Sequence, residues 1–536
     1  MAFRANDSQQ ISFSDTLYGL TAREQKALER SWAKVFAEDI FPAIDESRFS
    51  VLYSEKASRP NTPVNVIIGA LILKELFDLS DDEVVEDLLL DPRFQYALHT
   101  TSFEEQPISD KTLTRFRQRC YDYERLYNID LYHDCVTDLA ARTARLMKID
   151  GRIRRMDSLM VAANIRTLSR MELIYRCIAG MTRWLKKQGE VLPESLQHYN
   201  DPDDYNRVIY HSRSTDAAVR MAMLLADADA LLMLCGSRFE EVTEYQLLTR
   251  CLSEQTVVRE GKRELLSKED HSMGSAVLQN PSDPDATFRV KAGKKHRGYT
   301  ANVEESVGKA GSVVTDYQFE TNNTGDSRML RDKLEETPVR EKETLLITDG
   351  AYAGEENVRL AAEKNITLVT TDLPGRDVDP VKGQFVLNEE GTRVLKCPMG
   401  LTPRSTSFIR QTGMCTASFD REHCANCPYR DRCHAKVFKR VAKITVSVKQ
   451  IRRAQMQAFM KSGEFKAYAR LRNGVETIPS SLRKNYRVDR MPVRGRVRSK
   501  FFFGAKIAAL NFRKLLTFYR GQGHYAQNPL LAGAKA

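Results

Sequence analysis

The chain has 536 residues, more than one ordinary core accommodates, so it calls for two or three domains or one catalytic domain with large insertions. Its 82 Lys and Arg outnumber its 71 Asp and Glu, giving a net charge of +11 and a pI near 9.0, which favours a polyanionic partner such as nucleic acid. Residues 1–30 carry Arg4, Asp7, Asp15, Arg23 and Glu24 where an export signal is apolar. The most apolar run, Ala217 to Cys235, is broken by Arg220, Asp227 and Asp229, which would be costly at bilayer depth, so a buried helix and a cytoplasmic protein are expected.

Residues 15–145 predict a helical module, with Val64, Ile67, Ile68, Leu71, Ile72 and Leu76 at helical spacing and Asp81-Asp82 ahead of Val84, Val85, Leu88 and Leu89. Ser109-Asp110-Lys111-Thr112-Leu113-Thr114-Arg115-Phe116-Arg117 reads as a helix start with basic first turns, suited to a phosphate backbone or, equally, to a solvated face. A strand over Ile149–Ser158 ends in Asp157-Ser158, and a long helical tract follows from Ser169 to Lys268. Beyond a Pro-containing linker at 280–285, strands are expected over Gly298–Val307 and Gly311–Phe319, then a helix over Asp326–Glu336. A buried strand, Thr344–Asp349, a helix over Glu355–Lys364 and a strand over Ile366–Thr370 follow. Residues 371–440 read as irregular, and helix resumes near Gln450 and runs through Glu476 to an Arg-rich tail.

With the helical tract set aside as an insertion, this order is that of an α/β RNase H-like core, a mixed sheet flanked by helices. The expected parts are an N-terminal helical DNA-binding domain at 1–145, a catalytic core at 146–168, 286–371 and 445–520, a helical insertion at 169–285, a cysteine-rich insertion at 372–444 and a flexible tail at 521–536.

Asp349 stands at the carboxyl end of a buried strand, ahead of Gly350-Ala351-Tyr352, where open α/β sheets present ligand groups; an Asp opening a turn is the plainer alternative. Asp157 lies on the first strand, which neighbours the fourth in such a fold, so two acids 192 positions apart can meet. The third acid must come from a later helix, and Glu476 is the best placed, with Arg483 on the same helical face unless Pro479 ends the helix. Three gathered carboxylates repel one another unless cations fill the gap, so two Mg²⁺ (or Mn²⁺) ions about 3.5–4 Å apart are expected on Asp157, Asp349 and Glu476.

These pieces, in this order, resemble the DDE transposases of bacterial insertion sequences, in the insertion-sequence-four-like group and especially its eleven-eighty-two branch. The resemblance rests on Leu79-Ser80-Asp81-Asp82-Glu83, the segment Ser109 to Arg117, Asp157-Ser158, Thr348-Asp349-Gly350-Ala351-Tyr352 and Glu476 with its basic neighbours. The group's signature at the last acid is Tyr-x2-Arg-x3-Glu-x6-Lys. Arg472 and Glu476 keep its spacing and Arg483 takes the Lys place, while Tyr468 lies four residues before Arg472 instead of three.

The resemblance implies that Asp157, Asp349 and Glu476 are catalytic and that Arg472 and Arg483 contact phosphates at the transposon end. It further implies an enzyme that binds terminal inverted repeats, nicks them and joins the freed 3′-hydroxyl to target DNA, as a homodimer pairing two ends. A catalytically silent DNA-binding relative and a metal-dependent nuclease of the same fold are the alternatives. The intact acids favour an enzyme, since a pure binder gains nothing from acids beside DNA phosphates.

Of the ten cysteines, Cys120, Cys135, Cys177, Cys235 and Cys251 are scattered and read as small core residues. Cys424-x2-Cys427-x5-Cys433, with Cys397 as a fourth member, suits one structural Zn²⁺; Cys415 or His434 could replace Cys397, and a metal-free loop of reduced thiols is the alternative. From Arg483 to Arg520 twelve cations face the single acid Asp489, so Arg494, Arg496 and Arg498 are expected to meet DNA. A second basic loop, Lys291 to Arg297, offers Lys294, Lys295 and Arg297.

Overall fold

In the computed structural model, residues 1–6, 19–56, 59–100, 108–210, 216–270, 274–291, 293–373, 375–521 and 529–532 are described. Most of the expected tail beyond residue 521 thus lies outside the described residues. The chain divides into two compact units. One comprises Met1–Gly151, Asp157–Met329 and Thr477–His524, and the other Arg152–Met156, Leu330–Glu476 and Tyr525–Ala536.

In the first unit the N-terminal segment is helical, as its periodicity requires. Helix Val64–Phe77 is apolar on nearly all sides and buries nearly all of them. Helix Asp81–Leu90 starts in a capping box, with the Glu83 N–H donating to Ser80 Oγ at 3.1 Å and the Ser80 N–H donating to the Glu83 carboxylate at 2.6 Å. Helix Asp110–Tyr127 opens the same way on Ser109 and Thr112. Arg117, one of the basic residues expected to face phosphate, is instead buried: it ion-pairs with Asp81, and its guanidinium stands 5.3 Å from the centre of the Phe502 ring.

The Arg-rich tail is the second correction. Helix Arg496–Tyr519 buries every residue from Phe501 to Phe512. Several of these cations have anions supplied from elsewhere in the chain. Lys500 pairs with Glu124 at 3.2 Å and Asp130 at 2.8 Å, Lys506 with buried Glu75, Lys514 with Glu305, and Arg496 with Glu320 at 3.0 Å. Counting charges along one segment misses partners that only folding brings near.

Strand β1, Ile153–Ala162, passes from the second unit into the first, so Asp157 lies inside it and not at its end. Leu159, Met160 and Val161 are buried and carry the strand four residues past Ser158. The insertion is helical, with Arg170–Lys187, Ala217–Cys235 and Thr243–Gln255 enclosing a core of their own, and it closes on a hairpin, β2 (Thr256–Arg259) and β3 (Lys262–Leu265), where helix was expected. Next come β4 (Thr287–Lys291), β5 (Lys294–Gly308) and β6 (Gly311–Thr321), with β5 antiparallel to both others. The supposed basic loop is therefore the β4–β5 hairpin. Beside β1, the Ala163 N–H donates to the Arg297 carbonyl at 3.1 Å, and a Cβ on Gly298 would stand 2.4 Å from the Val161 carbonyl, so only glycine permits the approach.

In the second unit the first residues of β1 pair in parallel with β7 (Thr344–Thr348), Ile153 opposite Leu345 and Arg155 opposite Ile347, and β7 pairs in parallel with β8 (Ile366–Thr370). Helix Glu355–Glu363 connects β7 to β8. Met156, Leu330, Leu334, Leu346, Tyr352 and Ile366 form the core under these strands. A mixed sheet flanked by helices fits the RNase H-like expectation.

The segment expected to be irregular contains β9 (Val386–Leu387) paired with β10 (Val394–Lys396). It also holds a sheet of β11 (Ser405–Ile409), β12 (Met414–Asp420), β13 (Lys436–Val437) and β14 (Val441–Ser447) in the order β11-β12-β14-β13. β12 and β14 alternate buried and exposed residues, the period-two signature that the cysteines and turns around them obscured. Helices Val448–Phe459 and Gly463–Asn473 follow. The helix expected through Glu476 breaks there, into a turn Gly474–Glu476, and a new helix starts at Thr477. Pro479 falls in its first turn, where the missing N–H costs nothing. Among the described residues, no helix is long and apolar enough to cross a membrane.

His133 ties helix Leu131–Leu146 to β6, with Nε2 2.9 Å from Asp316 Oδ1 and Nδ1 3.7 Å from Asp134 Oδ1. Burial alone would lower its pKa, but the two carboxylates outweigh burial and push it up to about 9. A raised folded-state value contributes stability that is complete below the ordinary value of about 6.5 and is lost as pH rises through about 9. The urea midpoint should therefore fall between pH 6.5 and 9, by roughly 1–3 kcal/mol of stability. His133→Gln should flatten that slope; an equal slope in the variant would remove His133 as its source.

Candidate active site

Three of the expected residues meet in the second unit. Asp349 follows the last residue of β7 and caps the turn Gly350–Tyr352, accepting the Ala351 N–H on Oδ1 at 2.9 Å. That leaves Oδ2 facing Arg472, whose Nη2 lies 3.6 Å away. Arg472, in the last turn of helix Gly463–Asn473, also places Nη1 2.5 Å from Glu476 Oε1. One guanidinium thus spans two carboxylates delivered by different elements. Arg472 is largely buried and Glu476 exposed, so the pair opens to solvent on the glutamate side.

The gap between Asp349 and Glu476 is bridged by the Arg472 guanidinium. The donors are hard carboxylate oxygens, the set that suits Mg²⁺ or Mn²⁺. Among the described residues, no three His, Cys, Asp or Glu side chains are arranged as a metal site. Asp157, buried in β1, accepts the Ser158 N–H on Oδ1 at 2.9 Å.

The first unit contains a cavity of about 740 Å³ lined by Lys291, Lys294, Lys295, His296, Arg297 and Arg483, with Asp489 the one acid on its wall. Arg483 is oriented by Asp489, Nε to Oδ2 at 3.1 Å, and by the Met160 carbonyl at 2.9 Å. Burial, then the positive field of Arg483, lowers the pKa of His296, leaving that ring neutral near pH 7. Lys291 reaches Ser158 Oγ at 3.3 Å and Asp326 at 3.6 Å. His296 was not singled out in the sequence; facing pairs in a hairpin become visible only with its register.

Of the three tail arginines, Arg494 is exposed and donates to the Asn164 carbonyl at 2.8 Å. Arg496 is held by Glu320 and by Asp285, which accepts its backbone N–H at 2.9 Å, and Arg498 lies 5.8 Å from the Tyr121 ring centre. In the second unit Cys397, Cys424, Cys427 and Cys433 line one small cavity of about 20 Å³, enough for a single water-sized occupant. Burial, then the proximity of Cys427, Cys397 and Cys424, pushes the Cys433 thiol up to about 11. Cys415 accordingly stands apart from that cavity's wall, as does His434.

Residues 396–516 match the family model described as transposase DDE domain, and residues 25–119 match that described as transposase domain (DUF772). Both matches accord with a DDE transposase of insertion sequences, and they indicate a transposase function. No curated protein and no solved structure matches the chain. The DDE match contains Arg472, Glu476 and Arg483 as well as the four cysteines.

Proposed function

We propose that the chain binds the terminal inverted repeats of its insertion sequence and cleaves and transfers DNA strands by metal-dependent phosphoryl transfer. The observation that carries this reading is Arg472 lying between Asp349 and Glu476: two acids are held close enough to share one cation. Divalent ions bound there would activate the attacking oxygen and stabilise the leaving one. In this reading the third acid is Asp157, as the resemblance to DDE transposases implies, carried by the strand whose first residues pair with β7. Arg472 neutralises the acids and presents N–H donors to the scissile phosphate.

The cavity lined by Lys294, Lys295, Arg297 and Arg483 supports a DNA-backbone contact, to which Arg494, Arg496 and Arg498 add charge. Pairing two transposon ends calls for a homodimer. The N-terminal helices serve as a DNA-binding domain in this reading, and the cysteine cluster and the Arg472–Glu476–Arg483 spacing support the eleven-eighty-two branch. A structural Zn²⁺ on Cys397, Cys424, Cys427 and Cys433 follows from four thiols around one small cavity, whose closure on an ion calls for side-chain rotation.

Asp157→Asn, Asp349→Asn and Glu476→Gln should each abolish cleavage of a DNA end in Mg²⁺ or Mn²⁺ and leave end binding within about twofold, because an amide keeps shape but loses the charge that holds the metal. Full cleavage by any one variant removes that residue from the site.

Neutralising Lys294, Lys295 and Arg297 should weaken binding to any DNA and flatten its salt dependence by roughly 0.9 in log–log slope for each phosphate that is no longer neutralised. Gel-shift titrations across salt measure this; an unchanged slope would place DNA elsewhere.

Purified protein should carry about one Zn²⁺ per chain, absent from Cys424→Ser/Cys427→Ser. Elemental analysis decides, and a metal-free, folded and active wild-type preparation would sink the zinc site.

A further inference from the structure

We infer that Arg155 is a positioning residue for Glu476, an inference that rests on the reading of Glu476 as a metal ligand. Arg155 lies on β1 and is completely buried, an expensive place for a charge. Its Nη1 donates to the Leu471 carbonyl at 2.6 Å, in the last turn of helix Gly463–Asn473, where carbonyls lack helical partners and a cation suits the helix dipole.

Three residues on is Gly474. Its φ of −62° is ordinary right-handed backbone, so no conformational need demands glycine there. Space does: a Cβ at this position would stand 2.2 Å from Arg155 Nη1, 3.0 Å from Cζ and 3.3 Å from Nη2. The guanidinium lies against the bare glycine. It thereby fixes where the helix ends and where the turn Gly474–Glu476 begins, and that turn presents Glu476 to Arg472.

The same residue is paired in register with Ile347 on the strand that leads to Asp349. Arg155 therefore ties the element carrying one acid to the element carrying the other, through a bond at 2.6 Å and an approach that a Cβ at 474 would close unless the guanidinium moved off the Leu471 carbonyl. An apolar residue of similar length would fill the volume without the cost of a buried charge, but would leave the Leu471 carbonyl without this donor and the turn free to shift.

The test uses the full-length protein with Arg155→Met, Gly474→Ala, the double variant Arg155→Lys/Gly474→Ala, and Glu476→Gln as reference. Mn²⁺ affinity by calorimetry, the Mg²⁺ concentration for half-maximal cleavage of a DNA end, DNA affinity and the thermal midpoint are measured. Arg155→Met should keep DNA affinity yet weaken Mn²⁺ binding roughly tenfold and raise the Mg²⁺ requirement to match, the size of effect typical of residues that orient metal ligands. Gly474→Ala should share that defect. The double variant should recover much of it, because the slimmer lysine head leaves room for the new methyl group.

Wild-type Mn²⁺ affinity in folded Arg155→Met, beside a weakened Glu476→Gln, would overturn the positioning role while leaving Glu476 a ligand. Unchanged Mn²⁺ affinity in Glu476→Gln would overturn the metal reading itself and this inference with it. Should Arg155→Met fail to fold, the glycine pair decides: a double variant no better than Gly474→Ala overturns the inference.

Discussion

Like charges cannot be gathered without a counter-charge, and the candidate site is organised around that constraint. Asp349 reaches its place by capping a turn after a strand, and Glu476 by following a helix end; neither local reason cares about the other acid. Arg472 reconciles them, its planar fork presenting donors in two directions where a lysine ammonium would be a single point. The arrangement is already neutralised in part, which lowers the folding cost of holding acids together. It also means that a metal ion entering the gap must compete with a guanidinium already in it.

The same constraint governs the first unit in reverse. There the surplus is positive, and the chain supplies acids from distant segments to absorb it: Glu75 for Lys506, Glu305 for Lys514, Glu124 and Asp130 for Lys500. The basic stretch after residue 495 thus becomes a core helix, with Arg496, Lys500, Lys506 and Lys514 held in internal pairs. Around the cavity between β1, the β4–β5 hairpin and Arg483 the balance is left unfinished, with Asp489 the one acid on a wall of five Lys and Arg and a histidine. Unfinished neutralisation is what a polyanion can exploit.

What the sequence disclosed follows from how local each signal is. β7, β8 and the helices Asp326–Glu336 and Glu355–Glu363 were legible nearly to the residue because short apolar runs bounded by polar turns carry their own evidence. The helix start at Ser109 was legible for the same reason. Asp349, Arg472 and Glu476 could be singled out by context, but that one arginine would hold both acids depends on where two elements end in space. The end of β1 was misjudged because a polar Asp157-Ser158 pair imitates a strand terminus, although the strand continues through Leu159 to Val161, buried on both faces. The sheet in the cysteine segment was missed because its strands are short and their alternation is interrupted by residues that usually signal loops.

Arg155 illustrates the remaining gap. In sequence it is one of several arginines before Asp157, and charge patterning would assign it to solvent or to DNA. Its neighbours along the chain do not distinguish it from Arg154, yet the pleat turns adjacent side chains to opposite faces, and only Arg155 is completely buried. Gly474, more than 300 positions away, is the other half of that fact, and its ordinary backbone angles hide it from any search for strained glycines. A buried cation packed on a glycine of unremarkable conformation marks a place where two elements have been fitted to each other. Here those elements are β1, paired with the strand that leads to Asp349, and the helix end that leads to Glu476, which is how one buried side chain bears on both.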